Sequence, residues 1–239
     1  MQFEPNIVIA HRGAFKKNGF PENSIASLRE AIRLRCTGSE FDVRMTKDEV
    51  LVISHDAAHA GLEIEEHTYE ELRKFPLKNG EAFPTLQSYL EAGIKRNQGT
   101  RLVLEIKPSP AGPERGTVIA EKVYRMVNDR GAARWVEYIS FDYGILKKLL
   151  ALDATVTTHY LNGDRSPAAV KLDGIRGIDY NFSVFKKNPA WIAQAKEIGI
   201  VLNVWTVNEP EQLKWCIEQE FEFVTTNEPE YLLVAVKAH

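Results

Sequence analysis

Three carboxylates fall in two apolar segments that are typical of neighbouring strands. Glu40 and Asp42 are two residues apart in "SEFDVRM", so both side chains point to one face of a strand, and Glu105 lies in "RLVLEI". Carboxylates that converge in a buried place repel one another unless positive charge balances them. One solution is a divalent cation with oxygen ligands, Mg²⁺ or Ca²⁺. The other is a structural ion-pair network with Arg12, Arg44 or Lys107.

Basic side chains accompany these carboxylates. Lys107 shares a strand face with Glu105, where it either helps to form an anion pocket or pairs with that carboxylate. Arg12 has a planar fork of donors that suits phosphate oxygens. His11 and His55 can divide the roles of general base and general acid near neutral pH. Together these residue types predict cleavage of a phosphate ester.

The elements that must position these residues are short apolar runs with helical patterns between them. An arm at 49–56 and further periodic segments lengthen the connection after the second run, which we interpret as an elaboration of that unit. Eight strand and helix units in about 240 residues predict an α/β fold, the (β/α)8 barrel, as a single domain over residues 1–239. The predicted strands are 6–10, 39–45, 101–106, 136–140, 155–160, 177–182, 200–205 and 221–226.

Polar or aromatic side chains end nearly every predicted strand, and in a barrel these ends gather at the functional face. His159 either lines the pocket or is structural, and Trp205 belongs either to the core or to an apolar wall for the substrate. Ser140, Asn181 and Asn227 end three other strands. Helix caps are predicted at Asn23 or Ser24, Asp142, Asn188 and Asn208.

The motifs "HRG", "PENS", "SEFDVRMTKDEVLVISHD", "LEIK" and "NVWTVN" occur in this order along the chain. Together they resemble the glycerophosphodiester phosphodiesterase family, which belongs to the phosphatidylinositol-phospholipase-C-like TIM-barrel phosphodiesterases. The resemblance spans essentially the whole chain and is most specific from His11 to Asp56. It implies a (β/α)8 barrel that uses a divalent metal to hydrolyse glycerophosphodiesters to glycerol 3-phosphate and an alcohol.

The resemblance also implies roles for individual residues. His11 and His55 match the family's acid–base pair, and Trp205 matches an aromatic residue that packs on the substrate. Glu22 and Asn23 match a motif near the site. The metal ligands would be Glu40, Asp42 and Glu105, and the phosphate-binding residues would be Arg12 and Lys107.

The chain departs from the family pattern at three places. Ser24 and Asn227 stand where threonine and aspartate are commoner, and the segment after His55 is shorter than usual. That segment shapes the pocket entrance, so the alcohol group of the substrate stays open. Two other functions stay open: a phospholipase-D-like or phosphoinositide-type lipid phosphodiesterase, and a non-catalytic barrel that only binds a phosphodiester.

Composition restricts the partners. With 44% hydrophobic and 26% charged residues and a formal net charge of −3, the chain resembles an ordinary globular protein and lacks the basic excess of a nucleic-acid binder. Its N-terminal residues lack a signal-peptide pattern, and no apolar window approaches the about 20 residues of a membrane span. We therefore expect a cytoplasmic protein with a small-molecule substrate and no stable membrane insertion. Cys36 and Cys216 are expected to be buried reduced thiols, and the oligomeric state is left open.

Overall fold

The computed structural model describes residues 2–237. Its strands are β1 (Val8–Ala10), β2 (Gly38–Met45), β3 (Leu51–Ile53), β4 (Ala58–His59), β5 (Leu62–Glu63), β6 (Arg101–Ile106), β7 (Val136–Ser140), β8 (Thr158–Tyr160), β9 (Gly177–Asn181), β10 (Val201–Trp205) and β11 (Phe223–Thr226). The helices are α1 (Ile25–Arg33), α2 (Tyr69–Leu72), α3 (Leu86–Ile94), α4 (Pro113–Asp129), α5 (Tyr143–Leu152), α6 (Pro167–Leu172), α7 (Phe182–Lys187), α8 (Ala190–Ile198), α9 (Pro210–Glu218) and α10 (Pro229–Lys237), with a 3₁₀ turn at Ile64–Glu66.

Eight parallel strands close into a barrel. The order is β1, β11, β10, β9, β8, β7, β6 and β2, and β1 pairs with β2 to complete the circle. Helices follow the strands around the outside, so the predicted (β/α)8 barrel is confirmed. All eight predicted strands are present, although several are shorter than their apolar runs.

Alternation along each strand separates two environments. Phe41 and Val43 of β2 face the surrounding helices and join one of two large core clusters there. A smaller cluster fills the barrel interior and contains Ile9, Val103 and Ile139. Residues two apart on a strand face the same way, so Glu40, Asp42 and Glu105 all face the interior.

The connection between β2 and β6 is the predicted insertion. β3 runs antiparallel to β2, with Val43 opposite Ile53, and the small β4–β5 hairpin follows it. Because β3 runs back along β2, the residues after Ile53 lie beside Asp42, and the Ser54 amide donates to Asp42 O. None of the helices within residues 2–237 combines the length and the apolar character that a membrane span requires.

Two of the predicted helix caps are confirmed and two are wrong. Ser24 accepts the amide of Ser27 at the start of α1, and Asp142 accepts two amides at the start of α5. Asn188 does not cap α8, because that helix starts one residue later and the Asn188 amide donates back to Val184 O. Asn208 does not cap α9 either: its Oδ1 accepts the Asn227 amide in the loop after β11.

Candidate active site

The loop after β1 brings His11 and Arg12 to the rim of the barrel. The His11 amide continues the sheet by donating to Thr226 O, and the chain then turns through left-handed backbone at Arg12 and Gly13, with φ of 53° and 80°. A Cβ on Gly13 would lie 2.6 Å from the backbone carbon of Ser27, so only glycine lets α1 pack this close. Glu40 Oε2 accepts the Arg12 amide at 2.8 Å and fixes the loop above β2.

The three predicted metal ligands converge. Glu40, Asp42 and Glu105 are 4%, 1% and 7% exposed. Each offers an oxygen, and the three oxygens lie within 4.8 Å of one another. Asp42 and Glu105 sit opposite each other in the β2–β6 register, which accounts for their proximity.

Positive charge near the carboxylates is unevenly distributed. Lys107 Nζ lies 2.8 Å from Glu105 Oε1 and 3.2 Å from Asp42 Oδ1, and Arg12 Nε lies 3.8 Å from Asp42 Oδ2. Within residues 2–237, no lysine or arginine side chain comes within 4.0 Å of Glu40. The cluster therefore keeps an excess of negative charge at Glu40.

The pKa values of these carboxyls reflect that excess. Burial, together with the charges of Asp42 and Glu105, holds the pKa of Glu40 well above its usual range. Burial and Asp42 likewise raise the pKa of Glu105 to about 7, even with Lys107 beside it. Burial also opposes ionisation of Asp42, but Lys107 and the Asn23 amide outweigh it and lower its pKa. A bound cation would relieve this repulsion, so the donor set fits a divalent metal.

The two histidines have different partners. His11 Nδ1 lies 2.8 Å from Asn227 Oδ1, and His11 Nε2 lies 4.0 Å from Glu40 Oε2. Burial, with the Arg12 charge as a second cause, lowers the pKa of His11. His55 Nδ1 lies 2.8 Å from Asp56 Oδ1, and the His55 side chain is more exposed than that of His11.

Two inward residues of β2 hold His55 in place. The Arg44 guanidinium donates two hydrogen bonds to His55 O, at 2.8 and 3.1 Å. The amide of Ser54 donates to Asp42 O. The rigid barrel thus carries a histidine that arrives from the irregular insertion.

A cavity of about 110 Å³ joins these residues at the carboxyl end of the barrel. One side is polar and is formed by the ends of β1, β2, β3 and β6. The other side is largely apolar, and there Trp205 packs edge-on against Phe141 at 5.4 Å between ring centroids. The lining consists of His11, Arg12, Glu40, His55, Glu105, Lys107, Ile139, Phe141, Leu161, Asp179, Trp205, Thr206 and Thr225.

Glu22 and Asn23 stand behind this lining. Glu22 Oε2 lies 2.6 Å from Arg12 Nη1. Asn23 is buried with φ of 58°, and its side chain both donates to Asp42 Oδ2 and accepts the Asp42 amide. The structure therefore brings all ten predicted site residues together, eight of them against the cavity or its carboxylates and these two against Arg12 and Asp42.

Three other polar strand-end residues do not reach the cavity. Ser140 donates to Ile106 O, and Asn181 caps α7. His159 lies fully buried against Gly177 and faces Glu137 at 3.9 Å, below the cavity. Sequence reasoning missed two residues of the lining because neither ends its predicted strand: Phe141 follows the last residue of β7, and Asp179 lies in the middle of β9.

Comparison with known proteins identifies relatives along the whole chain. A family model described as "Glycerophosphoryl diester phosphodiesterase family" matches residues 11–231. A glycerophosphodiester phosphodiesterase from Caldanaerobacter subterraneus is 28% identical over 247 residues, which cover 97% of this chain and 98% of that protein. The crystal structure of a glycerophosphodiester phosphodiesterase from Parabacteroides distasonis is 37% identical, with a TM-score of 0.94 over 99% of this chain and 98% of that one.

A more distant structure shares the fold. It is an Oleispira antarctica phosphodiesterase in complex with the product sn-glycerol-3-phosphate, with a TM-score of 0.80 and 23% identity over 97% of this chain and 96% of that one. The residues of the cavity all lie within the stretch that the family model matches.

Proposed function

Since this chain belongs to the glycerophosphoryl diester phosphodiesterase family, we propose that it hydrolyses glycerophosphodiesters to glycerol 3-phosphate and an alcohol with the help of one divalent cation. The chain is a phosphodiesterase, and the proposal concerns its cation and the residues that perform the reaction. One observation carries it: three buried carboxylates, two basic side chains and two histidines meet around one cavity.

Glu40, Asp42 and Glu105 would hold the cation. The donor set is all oxygen, and the raised pKa values of Glu40 and Glu105 indicate that the cluster lacks positive charge. These properties suit Mg²⁺ or Ca²⁺ better than Zn²⁺. When bound, such an ion would neutralise negative charge on the phosphodiester oxygens and so favour attack of a nucleophile at the phosphorus.

Lys107 and Arg12 would bind the phosphate group. Burial alone would lower the pKa of Lys107, but Glu105 and Asp42 outweigh it and raise that pKa, so the ammonium stays charged. Arg12 is oriented by Glu22 and by the fixed backbone turn. These two positively charged side chains would stabilise the negative charge that grows on the phosphate oxygens in the transition state.

His11 is proposed as the base and His55 as the acid. Asn227 Oδ1 is an acceptor, so the proton of His11 resides on Nδ1 and the lone pair of Nε2 is left to accept a proton from the nucleophile. His55 Nδ1 lies 2.8 Å from Asp56 Oδ1, which orients the ring, and we assign His55 the protonation of the leaving alkoxide. The nucleophile is either water or the neighbouring glycerol hydroxyl. In the first step of either route one proton leaves the nucleophile and one is given to the leaving alkoxide, and the cyclic phosphate of the second route is then hydrolysed by water.

The test is an assay of glycerol 3-phosphate release from glycerophosphocholine with Mg²⁺, with Ca²⁺ and with excess chelator. His11→Ala and His55→Ala should each lower kcat by about 10²–10⁴-fold without loss of fold. His67→Ala is the matched control, because His67 lies outside the cavity, and it should retain full activity.

Three outcomes would contradict parts of the proposal. Full activity in chelator would exclude the cation, and full activity of either histidine variant would exclude its acid–base role. Turnover of lysophosphatidylcholine in preference to glycerophosphocholine would favour a lipid phosphodiesterase. Binding of glycerophosphocholine without any turnover would favour a non-catalytic barrel.

A further inference from the structure

The side of the cavity opposite the carboxylate cluster carries one carboxyl group among apolar side chains. Ile139, Phe141, Leu161 and Trp205 form most of this side, and Asp179 lies among them. Neither the acid–base pair nor the cation site uses Asp179. The environment of Asp179 indicates a role in substrate selection, and this inference rests on the proposed function.

Asp179 faces the cavity because of its register on β9. The flanking residues Ile178 and Tyr180 pack outward into the core beneath the helices. Gly177 faces inward, since a Cβ there would lie 2.6 Å from the His159 ring. Asp179 shares the orientation of Gly177, one step nearer the carboxyl end of the barrel, and it is 1% exposed.

The Asp179 carboxyl lacks an internal partner. Within residues 2–237 its Oδ1 accepts no hydrogen bond, and no basic side chain comes within 4.0 Å of it. Asn203 is opposite it in the β9–β10 register, but the Asn203 amide nitrogen also has no partner, so the two groups do not satisfy each other. A buried acceptor without a donor is costly, and a group that is kept at such a cost commonly serves binding.

The chemistry of the cavity limits what the donor can be. Arg12 and Lys107 place the phosphate on the β1, β2 and β6 side, so an organic part of the substrate has to extend towards β9. Ile139 and Leu161 suit the carbon chain of that part, and a carboxyl oxygen accepts a hydrogen bond from a hydroxyl in either of its protonation states. The glycerol moiety is the one organic part that all glycerophosphodiesters share, and it carries such hydroxyls.

We propose that Asp179 accepts a hydrogen bond from a hydroxyl of the glycerol moiety and thereby selects glycerophosphodiesters over phosphodiesters that lack this hydroxyl. A site built around a hydrogen bond to a substrate hydroxyl discriminates strongly against an analogue without it, because the analogue leaves the buried acceptor unpaired. Asp179 is thus a specificity residue on the wall that faces the catalytic groups.

The test compares two probes by isothermal titration calorimetry in the presence of Mg²⁺: sn-glycerol 3-phosphate and n-propyl phosphate, which lacks both hydroxyls. The wild-type protein should bind glycerol 3-phosphate at least about tenfold more tightly. Asp179→Leu has the same branching at Cγ but no acceptor, and it should reduce this preference to about twofold or less while n-propyl phosphate binds as before. Asp179→Asn retains an acceptor oxygen and should keep part of the preference.

Two further measurements separate selection from structure. Asp179→Leu removes an unpaired buried group, so its Tm should equal or exceed that of the wild type, which a purely structural role would not produce. Leu161→Ala is the control on the same wall, and it should lower the affinity for both probes by the same factor.

The inference is overturned if the wild type does not prefer glycerol 3-phosphate over n-propyl phosphate, or if Asp179→Leu keeps that preference. It is also overturned if Asp179→Leu lowers the affinity for both probes equally. Turnover of glycerophosphocholine by the wild type is scored separately. Turnover with an unchanged preference in Asp179→Leu would reject the inference alone, whereas absence of turnover would reject the proposed function.

Discussion

Asn23 offers the sharpest test of how the fold supports the carboxylate cluster. Its side chain donates to Asp42 Oδ2 at 2.8 Å and accepts the Asp42 amide at 3.2 Å. At this point β2 has run past β1, which pairs only with Gly38 and Ser39. The Asn23 amide therefore takes the place of a neighbouring strand and holds a proposed metal ligand. We predict that replacing it costs both stability and cation affinity.

The magnitude follows from two separable effects. Asn23→Gly removes a hydrogen bond to a carboxylate, worth about 1.5–3 kcal/mol, and leaves a buried amide unpaired, at about 1–3 kcal/mol, so the free energy of unfolding should fall by about 3 kcal/mol or more. Asn23→Ala loses the same bonds but keeps a Cβ at a φ of 58°, so it should be about 1 kcal/mol less stable than Asn23→Gly. Because Asp42 is no longer held, Mg²⁺ should bind about 10–100-fold more weakly to both variants.

The assay is urea denaturation of the wild type, Asn23→Gly and Asn23→Ala, each with and without Mg²⁺, together with calorimetric titration of the ion. The difference between the two variants isolates the backbone effect, since both lack the side-chain amide. The reasoning is refuted if Asn23→Gly unfolds within about 0.5 kcal/mol of the wild type. It is also refuted if Asn23→Ala is the more stable variant, or if a folded variant binds Mg²⁺ as the wild type does.

Glu40→Gln should weaken Mg²⁺ binding by more than about tenfold, and an Mg²⁺ affinity equal to that of the wild type would contradict this. The cation-free variant should unfold at the same temperature as the cation-free wild type or at a higher one, because one buried negative charge is gone. Gly177→Ala should destabilise the protein by about 1–3 kcal/mol, since its Cβ would lie 2.6 Å from the His159 ring. In a His159→Ala background that penalty should vanish, and a persisting penalty would mean another cause. Burial raises the pKa of Cys36 and Cys216 to about 12, so both remain thiols at pH 8. Ellman's reagent should therefore react with these two thiols only after denaturation. Rapid reaction of the native protein would show that at least one of them is accessible.

The fold could be predicted from local signals because each strand is an apolar run bounded by helix start and stop residues. The strand ends were less predictable where side chains compete for backbone groups. The predicted strand 155–160 is only Thr158–Tyr160, since the Thr155 amide and hydroxyl both donate to Asp153 Oδ1 and keep those residues in a turn.

Long-range contacts explain the wrong predictions. Asn208 lies two residues before Pro210, the first residue of α9, and its oxygen accepts the amide of Asn227, a residue 19 positions away. No local pattern distinguishes the two uses of the same side chain. In this case the contact bears on the proposed mechanism, because Asn227 Oδ1 in turn lies 2.8 Å from His11 Nδ1.

The candidate site was predictable where alternation on a single strand sufficed. Glu40 and Asp42 share a face of β2, and Glu105 of β6 shares a face with Lys107, two residues further on. The parallel pairing of β2 with β6 brings these faces together. The apolar wall was not predictable in this way. Asp179 lies in mid-strand, and only the structure shows its carboxyl without a partner at the cavity.

The central claim, that this cavity cleaves the ester bond between phosphate and alcohol in a glycerophosphodiester, is tested most directly by ³¹P NMR of glycerophosphocholine incubated with the wild-type protein and Mg²⁺. We predict a single product resonance, that of glycerol 3-phosphate, with choline released. Formation of phosphocholine and glycerol, or an unchanged substrate resonance with the folded protein, would contradict the account.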